Sequence, residues 1–193
     1  MYNYLIITVP HSFCYRKTPR VCDRNASNAS QTLFEISPFN TVKFLNNSVR
    51  RKDLDLNRNV SLKSKFRQQL RSKIIELKQQ GYRPILIDIH SFFPESKDYK
   101  EYDVLILDVS HYKNNELTQR TFEIEKKIVE KIRETKKYKT GILKGSKLNS
   151  IIMDGLYTFN IPSILIEYNE KLSISELKEI NTKVIEGISI FFQ

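Results

Sequence analysis

Two of the three histidines stand in the same kind of place: His11 in Val9-Pro-His-Ser12 and His90 in Asp88-Ile-His-Ser91 each follow a short aliphatic run and precede a serine. A lone histidine after a strand ordinarily caps an element or fills a core, but a matched pair points to metal ligation by imidazole. Catalytic zinc takes three protein ligands from His, Asp or Glu and keeps one position for water. Asp23, in Val21-Cys-Asp-Arg-Asn25, is the candidate third ligand, because Ser12 to Val21 holds no carboxylate. A helix N-cap or a surface ion pair competes with that role, and Glu35 is the nearest rival. His111 is expected at the edge of the site or on the surface, and Asp88 could face the site or orient a ligand imidazole.

A metal-bound water needs a base, and a carboxylate at the wall of a site serves when partial burial raises its pKa. Glu167 closes Ile164-Leu-Ile-Glu, an acid joined directly to an apolar run. Unpaired glutamates are rarely buried without cause, so it is read as the general base, with a salt bridge to Arg51 or Arg58 as the bland alternative. Arg51 and Arg58 lie seven apart, with Asn57 beside the second. A guanidinium fork binds carboxylates bidentately and cannot lose its charge, which suits anchoring a substrate carboxylate or stabilising an oxyanion. Arg50, Arg51, Lys52, Asp53, Asp55 and Arg58 could equally form an ordinary exposed loop.

These residues must be brought together by the elements around them. Aliphatic runs at Tyr4 to Val9, Thr41 to Leu45, Arg83 to Ile89, Val104 to Asp108 and Ser163 to Glu167 alternate with stretches of helical period. That alternation predicts an α/β fold with helices packed on a mainly parallel sheet, and the nearly all-apolar runs suit strands covered on both faces. The spacing predicts helices over Ser61 to Gln80, ended by Gly81, and through Leu117 to Ile132 and Leu177 to Phe191. His11, Asp55-Leu-Asn-Arg58, His90 and Glu167 then sit after strands, where parallel α/β sheets form their ligand crevice.

The 193 residues, 40% hydrophobic, are enough for one core, and we expect one domain over residues 1–193. Cys14 and Cys22 make neither a disulfide framework nor a CxxC pair, so a reducing compartment is the default. The run Tyr4 to Val9 lacks a basic flank and stops at Pro10, which fails as a signal peptide, and no stretch is long enough to span a bilayer. A cytoplasmic protein without membrane association is expected. The net charge of +10 is spread along helices that also carry acids, which disfavours a nucleic-acid partner. Five glycines in the chain form neither a GxGxxG nor a Walker-type phosphate loop.

The motifs also resemble known enzymes. Asp55-Leu-Asn-Arg-Asn59, Ile89-His-Ser-Phe92 and Ile166-Glu167 resemble, in order, the carboxylate-binding, last-histidine and general-base segments of zinc carboxypeptidases. The sequence is more similar to the N-formylglutamate amidohydrolase family, through Pro10-His11, Asp23, Arg51 with Asp55-Leu-Asn-Arg58, Asp88-Ile-His-Ser91, Gly141-Ile-Leu-Lys144-Gly145 and Glu167. This resemblance implies a three-layer, phosphorylase/hydrolase-like fold of the zinc exopeptidase type. It implies one zinc ion per chain on His11, Asp23 and His90, and Glu167 as catalytic acid and base with Arg51 at the oxyanion. Asn57 and Arg58 would hold the substrate carboxylate, and Lys144 would sit near the substrate unless it is simply an exposed lysine beside a turn. The implied activity is metal-dependent hydrolysis of an N-acyl amino acid such as N-formylglutamate, or of a short peptide with a free carboxylate. A small carboxypeptidase, a cell-wall-type amidase and a non-catalytic binding module on the same fold are the alternatives. Cys14 stands where the His-x-x-Glu ligand pair of carboxypeptidases would place its glutamate, and the His11 to Asp23 loop is short for the amidohydrolase family.

Overall fold

A computed structural model describes residues 3–13, 22–95, 99–112, 115–146 and 148–192. Six strands, β1 (Tyr4–Val9), β2 (Asn40–Leu45), β3 (Pro84–Phe92), β4 (Val104–Asp108), β5 (Thr140–Lys144) and β6 (Ser163–Asn169), form one sheet in the order β2-β1-β3-β6-β4-β5. β1, β2, β3 and β6 run parallel, whereas β4 lies antiparallel to β6 and carries β5 parallel to itself. The sheet is mixed and mostly parallel.

Side chains alternate across each strand, and here both faces are apolar because both are covered. Leu5, Ile7, Ile87, Ile89, Ile164 and Ile166 face one way, into the larger core made with α1 (Arg24–Ile36), α3 (Glu116–Glu134) and α5 (Ile174–Ser189). Ile6, Leu86 and Leu165 face the other, against α2 (Lys65–Gln79) and the short α4 (Ser150–Met153). The result is three layers. On this second face the pattern turns polar toward the carboxyl edge, where Thr8, Asp88, His90 and Glu167 replace the aliphatic residues.

The chain leaves β1 through α1 to reach β2 on one side, then passes through α2 to reach β3 on the other. The two crossovers lie on opposite faces, so a crevice opens beyond the carboxyl ends of β1 and β3, a topological switch point. His11 and His90 are placed at it.

Several boundaries differ from expectation for local reasons. α2 begins only at Lys65, because Ser64 caps it by accepting from the Arg67 backbone N–H at 3.3 Å, and the preceding turn Asn59–Ser61 is 3-10. Gly81 does end that helix, with φ of 82°. α1 and β5 are additional elements. α1 packs through small residues, Ala26, Ala29 and Ser30, which give no large-residue stripe, and β5 is a short edge strand. Cys22 is buried and disulfide-bonded, contrary to the expectation drawn from cysteine spacing, while Cys14 lies outside the described residues. No helix among the described residues is long and apolar enough to cross a membrane.

α3 and α5 meet closely at Gly187, where an added Cβ would lie 2.8 Å from the Ile128 Cα. Helix propensity favours alanine over glycine by about 1 kcal/mol, but the contact is with backbone that cannot swing aside. Gly187→Ala is therefore expected to destabilise the protein, by about 1 to 3 kcal/mol as for other overpacked cores. Urea unfolding checks this; a gain in stability would mean that the helices separate freely there.

Candidate metal centre

His11 follows β1 and is buried, its ring held from both sides. Nδ1 lies 3.3 Å from Asp23 Oδ2, and Nε2 lies 2.8 Å from Asp55 Oδ1. His90 belongs to β3, two residues before its end, and repeats the arrangement: Nδ1 is 3.0 Å from Asp23 Oδ2 and Nε2 is 3.0 Å from Asp88 Oδ2. The imidazoles meet edge to face with centroids 4.8 Å apart. Two Nδ1 atoms thus converge on one carboxylate, and one ligand atom from each of His11, Asp23 and His90 fits within 4.8 Å of the others.

Asp23 occupies the N-cap position of α1 yet makes no side-chain cap hydrogen bond there. Its carboxylate turns to the histidines instead, and the chain is fixed for this by the Asp23 N–H donating to the His11 carbonyl at 3.0 Å. Burial disfavours the charged carboxylate, but hydrogen bonds and charge from His11 and His90 outweigh it and hold Asp23 well below the usual carboxylate range. Burial likewise works against a charged His90, whereas the Asp88 charge and the hydrogen bonds of Asp23 and Asp88 raise its pKa well above the ordinary value. The ring is flanked by carboxylates on both nitrogens.

The far nitrogens are oriented by acids that are themselves fixed. Asp88 is completely buried and accepts from Thr8 Oγ1, its partner across β1 and β3, at 2.6 Å. Asp55 accepts the Asn57 backbone N–H at 3.0 Å and pairs with Arg58 Nε at 3.2 Å. Burial opposes ionisation of Asp55, and the His11 hydrogen bond and charge override it, so its pKa is lowered. Such carboxylate–imidazole pairs set the tautomer that leaves Nδ1 for a metal and raise its basicity. The sequence points to Asp88 for this part by its spacing from His90; for Asp55, which sequence reasoning misses, the available signal is its place two before Asn57 in the Asp-Leu-Asn-Arg motif.

Glu167 sits opposite His90 in the β3–β6 register and on the same face of the sheet. It borders, with Asp23 and Arg51, a cleft of about 480 Å³. Burial pushes its carboxyl up to about 7, the His90 charge working the other way. Arg51 reaches Asp23 Oδ1 at 3.5 Å and Asp55 Oδ2 at 4.0 Å, and it remains well exposed.

The Asp55–Arg58 loop owes its shape to a buried arginine. Arg67, on α2 and fully buried, donates to the Leu56 carbonyl at 3.2 Å, to Ser150 Oγ at 2.6 Å and to Asp154 Oδ2 at 2.6 Å. Ser150 and Ile151 in turn donate their N–H groups to the Asn57 carbonyl and Oδ1, and Asn57 Nδ2 lies 3.4 Å from His90 Nε2. The motif is tied to α2, α4 and the histidine together.

Three other candidates lie elsewhere. Glu35 is exposed near the end of α1 and accepts from Gln31 at 2.6 Å. His111 is exposed beside Asp108, 3.6 Å away. Lys144 is exposed at the end of β5, which runs opposite to β6. Leu105 is level with both Glu167 and Gly141, so Lys144 lies three residues farther toward the opposite edge of the sheet, about 10 Å along the strand. The antiparallel pairing of β4 therefore carries both Lys144 and His111 away from the crevice.

No protein-family model and no curated protein matches the sequence. Solved structures are similar in fold. A gene product of Agrobacterium tumefaciens superposes with a TM-score of 0.72 at 14% identity over 100% of this chain and 92% of its own. The CwlD amidase of Clostridioides difficile, in complex with the GerS lipoprotein, gives 0.59 at 17% identity, covering 98% of both chains. N-formylglutamate amidohydrolase from Ralstonia eutropha gives 0.57 at 9% identity over 99% of this chain and 93% of its own. This chain thus shares the mixed, mostly parallel α/β fold of these structures.

Proposed function

We propose that the protein is a zinc-dependent amidohydrolase that cleaves the amide bond of an N-acyl amino acid or short peptide bearing a free carboxylate. The observation that carries this reading is the convergence of His11 Nδ1, His90 Nδ1 and the Asp23 carboxylate beside Glu167 at the switch-point crevice. Two imidazoles and a carboxylate are a donor set that suits zinc with an open position, and carboxylates behind both rings complete it. Zinc held there would polarise the scissile carbonyl and make water nucleophilic near neutral pH.

The protein's own groups account for the remaining steps. Glu167 takes the proton of the attacking water and returns it to the amide nitrogen as the C–N bond breaks, a task suited to a carboxyl whose proton affinity burial has raised. Arg51, at the border of the cleft, offers N–H donors to the carbonyl oxygen as it gains charge. Asn57 and Arg58 hold the carboxylate of the leaving amino acid; Arg58 is braced through Nε by Asp55, and its terminal nitrogens supply the fork.

If Arg58 grips that carboxylate, amidating it is expected to cost about as much as removing the arginine, and both changes together little more than either alone. A charged hydrogen bond of this kind is worth about 1.5 to 3 kcal/mol, or about ten- to a hundredfold in kcat/KM. Arg58→Lys restores only part, because a point charge lacks the two-pronged geometry. The check is kcat/KM of zinc-loaded wild type and Arg58→Ala for an N-acyl glutamate and its α-amide. Losses that simply multiply would remove Arg58 from the carboxylate, and no turnover of any N-acyl amino acid or peptide would overturn the hydrolase.

A further inference from the structure

The cleft beside Glu167 takes in the end of β3 and residues that follow it. Besides Asp23, Arg51 and Glu167 it is lined by Ser91, Phe92, Phe93, Glu95 and Tyr99, with the Phe92 and Tyr99 rings packed edge to face at 5.6 Å. Neither Asn57 nor Arg58 borders it. With the leaving amino acid on the Arg58 side and the scissile carbonyl at the histidines, this cleft is where the acyl part of the substrate must go. A formyl group, one carbon and one oxygen, would leave nearly all of about 480 Å³ unfilled.

The chemistry of the wall narrows the occupant. Aromatic faces attract cations through their quadrupoles, and a carboxylate among them adds a charged acceptor. Of the three acids that line the cleft, Glu95 is the one that neither the metal donor set nor proton transfer uses, in a chain whose net charge is +10. Such a wall disfavours an anionic acyl group.

Resting on the hydrolase reading above, we infer that this cleft is an acyl-side subsite for an alkylammonium group, with Glu95 as its specificity-determining residue, so that the substrate is a short peptide with a cationic acyl residue and not a formyl amino acid. The cation can be the free α-amine of the acyl residue or a side-chain ammonium. Both present the same group to Glu95.

Four probes separate these sources: Ala-Glu, N-acetyl-Lys-Glu, N-acetyl-Ala-Glu and N-formyl-Glu. Binding is measured by calorimetry on the zinc-loaded Glu167→Gln protein, which keeps Glu95 and is expected to turn over slowly, and turnover on the zinc-loaded wild type. Whichever ammonium source fits is expected to bind roughly five- to tenfold more tightly than N-acetyl-Ala-Glu, a modest factor because Glu95 is exposed. Adding Glu95→Gln is expected to abolish that preference while leaving the neutral probe unchanged, and salt should weaken the preference as well. Equal binding of charged and neutral probes, equal weakening of all probes by Glu95→Gln, or N-formyl-Glu as the tightest ligand would overturn the subsite. Selective binding without turnover of any probe would uphold the subsite and overturn the hydrolase reading.

Discussion

His90→Ala is expected to abolish zinc binding while the sheet still forms. His90 supplies one of three converging donors, and two remaining ligands do not make a catalytic zinc site. At free zinc of about a hundredfold Kd, the wild type should gain about 2.7 kcal/mol, which for a chain of this length raises Tm by roughly 5 to 10 °C. The variant should show no zinc-dependent shift. Asp23→Ala should behave in the same way and Glu35→Ala like the wild type, because Asp23 faces both rings whereas Glu35 lies exposed near the far end of α1. Zinc must also displace the proton from His90 Nδ1, whose pKa the flanking carboxylates raise, so affinity is expected to weaken as pH falls. Metal analysis of each purified variant with thermal melts at two pH values checks these points. Full zinc in folded His90→Ala would remove His90 from the ligand set.

The elements that hold these residues were legible where local pattern and burial agree. β1, β3 and β6 are covered on both faces, so their sequences are continuous aliphatic runs, and the chemistry-bearing residues stand out as the places where those runs turn polar. The three long amphipathic helices were visible for a related reason, since each buries one stripe of large side chains. α1 was not, because it packs closely through alanine and serine and a stripe of small residues carries little signal. Strand direction was the other hidden quantity. Nothing local in Val104–Asp108 distinguishes a parallel from an antiparallel strand, yet that choice decides that Lys144 faces the edge opposite Glu167. Asp55 was hidden by a third cause: amid Arg50, Arg51, Lys52 and Asp53 an acid looks like solvated charge until the fold brings His11 against it, 44 residues earlier in the chain.

Glu167→Gln is expected to lower kcat by about 10² to 10⁴ while the zinc content and fold are kept. Glutamine nearly preserves the volume of the side chain but cannot accept the proton of water, so the loss isolates proton transfer, roughly 2.7 to 5.4 kcal/mol in the barrier. The residue lies across the β3–β6 register from His90, outside the converging donor set, which is why zinc should remain. KM should change little if the carboxylate acts on the water and not on the substrate. Glu167→Asp is the sharper comparison: it keeps the base but withdraws it by one methylene, and since β6 is held on both sides by β3 and β4 the backbone cannot follow. An intermediate rate is therefore expected for aspartate, above glutamine and below the wild type. The measurements are steady-state kcat and KM with zinc content for all three proteins. Near-normal turnover in Glu167→Gln, or a loss matched by loss of zinc, would take the proton-transfer role away from Glu167 and leave its burial beside the histidines a matter of structure alone.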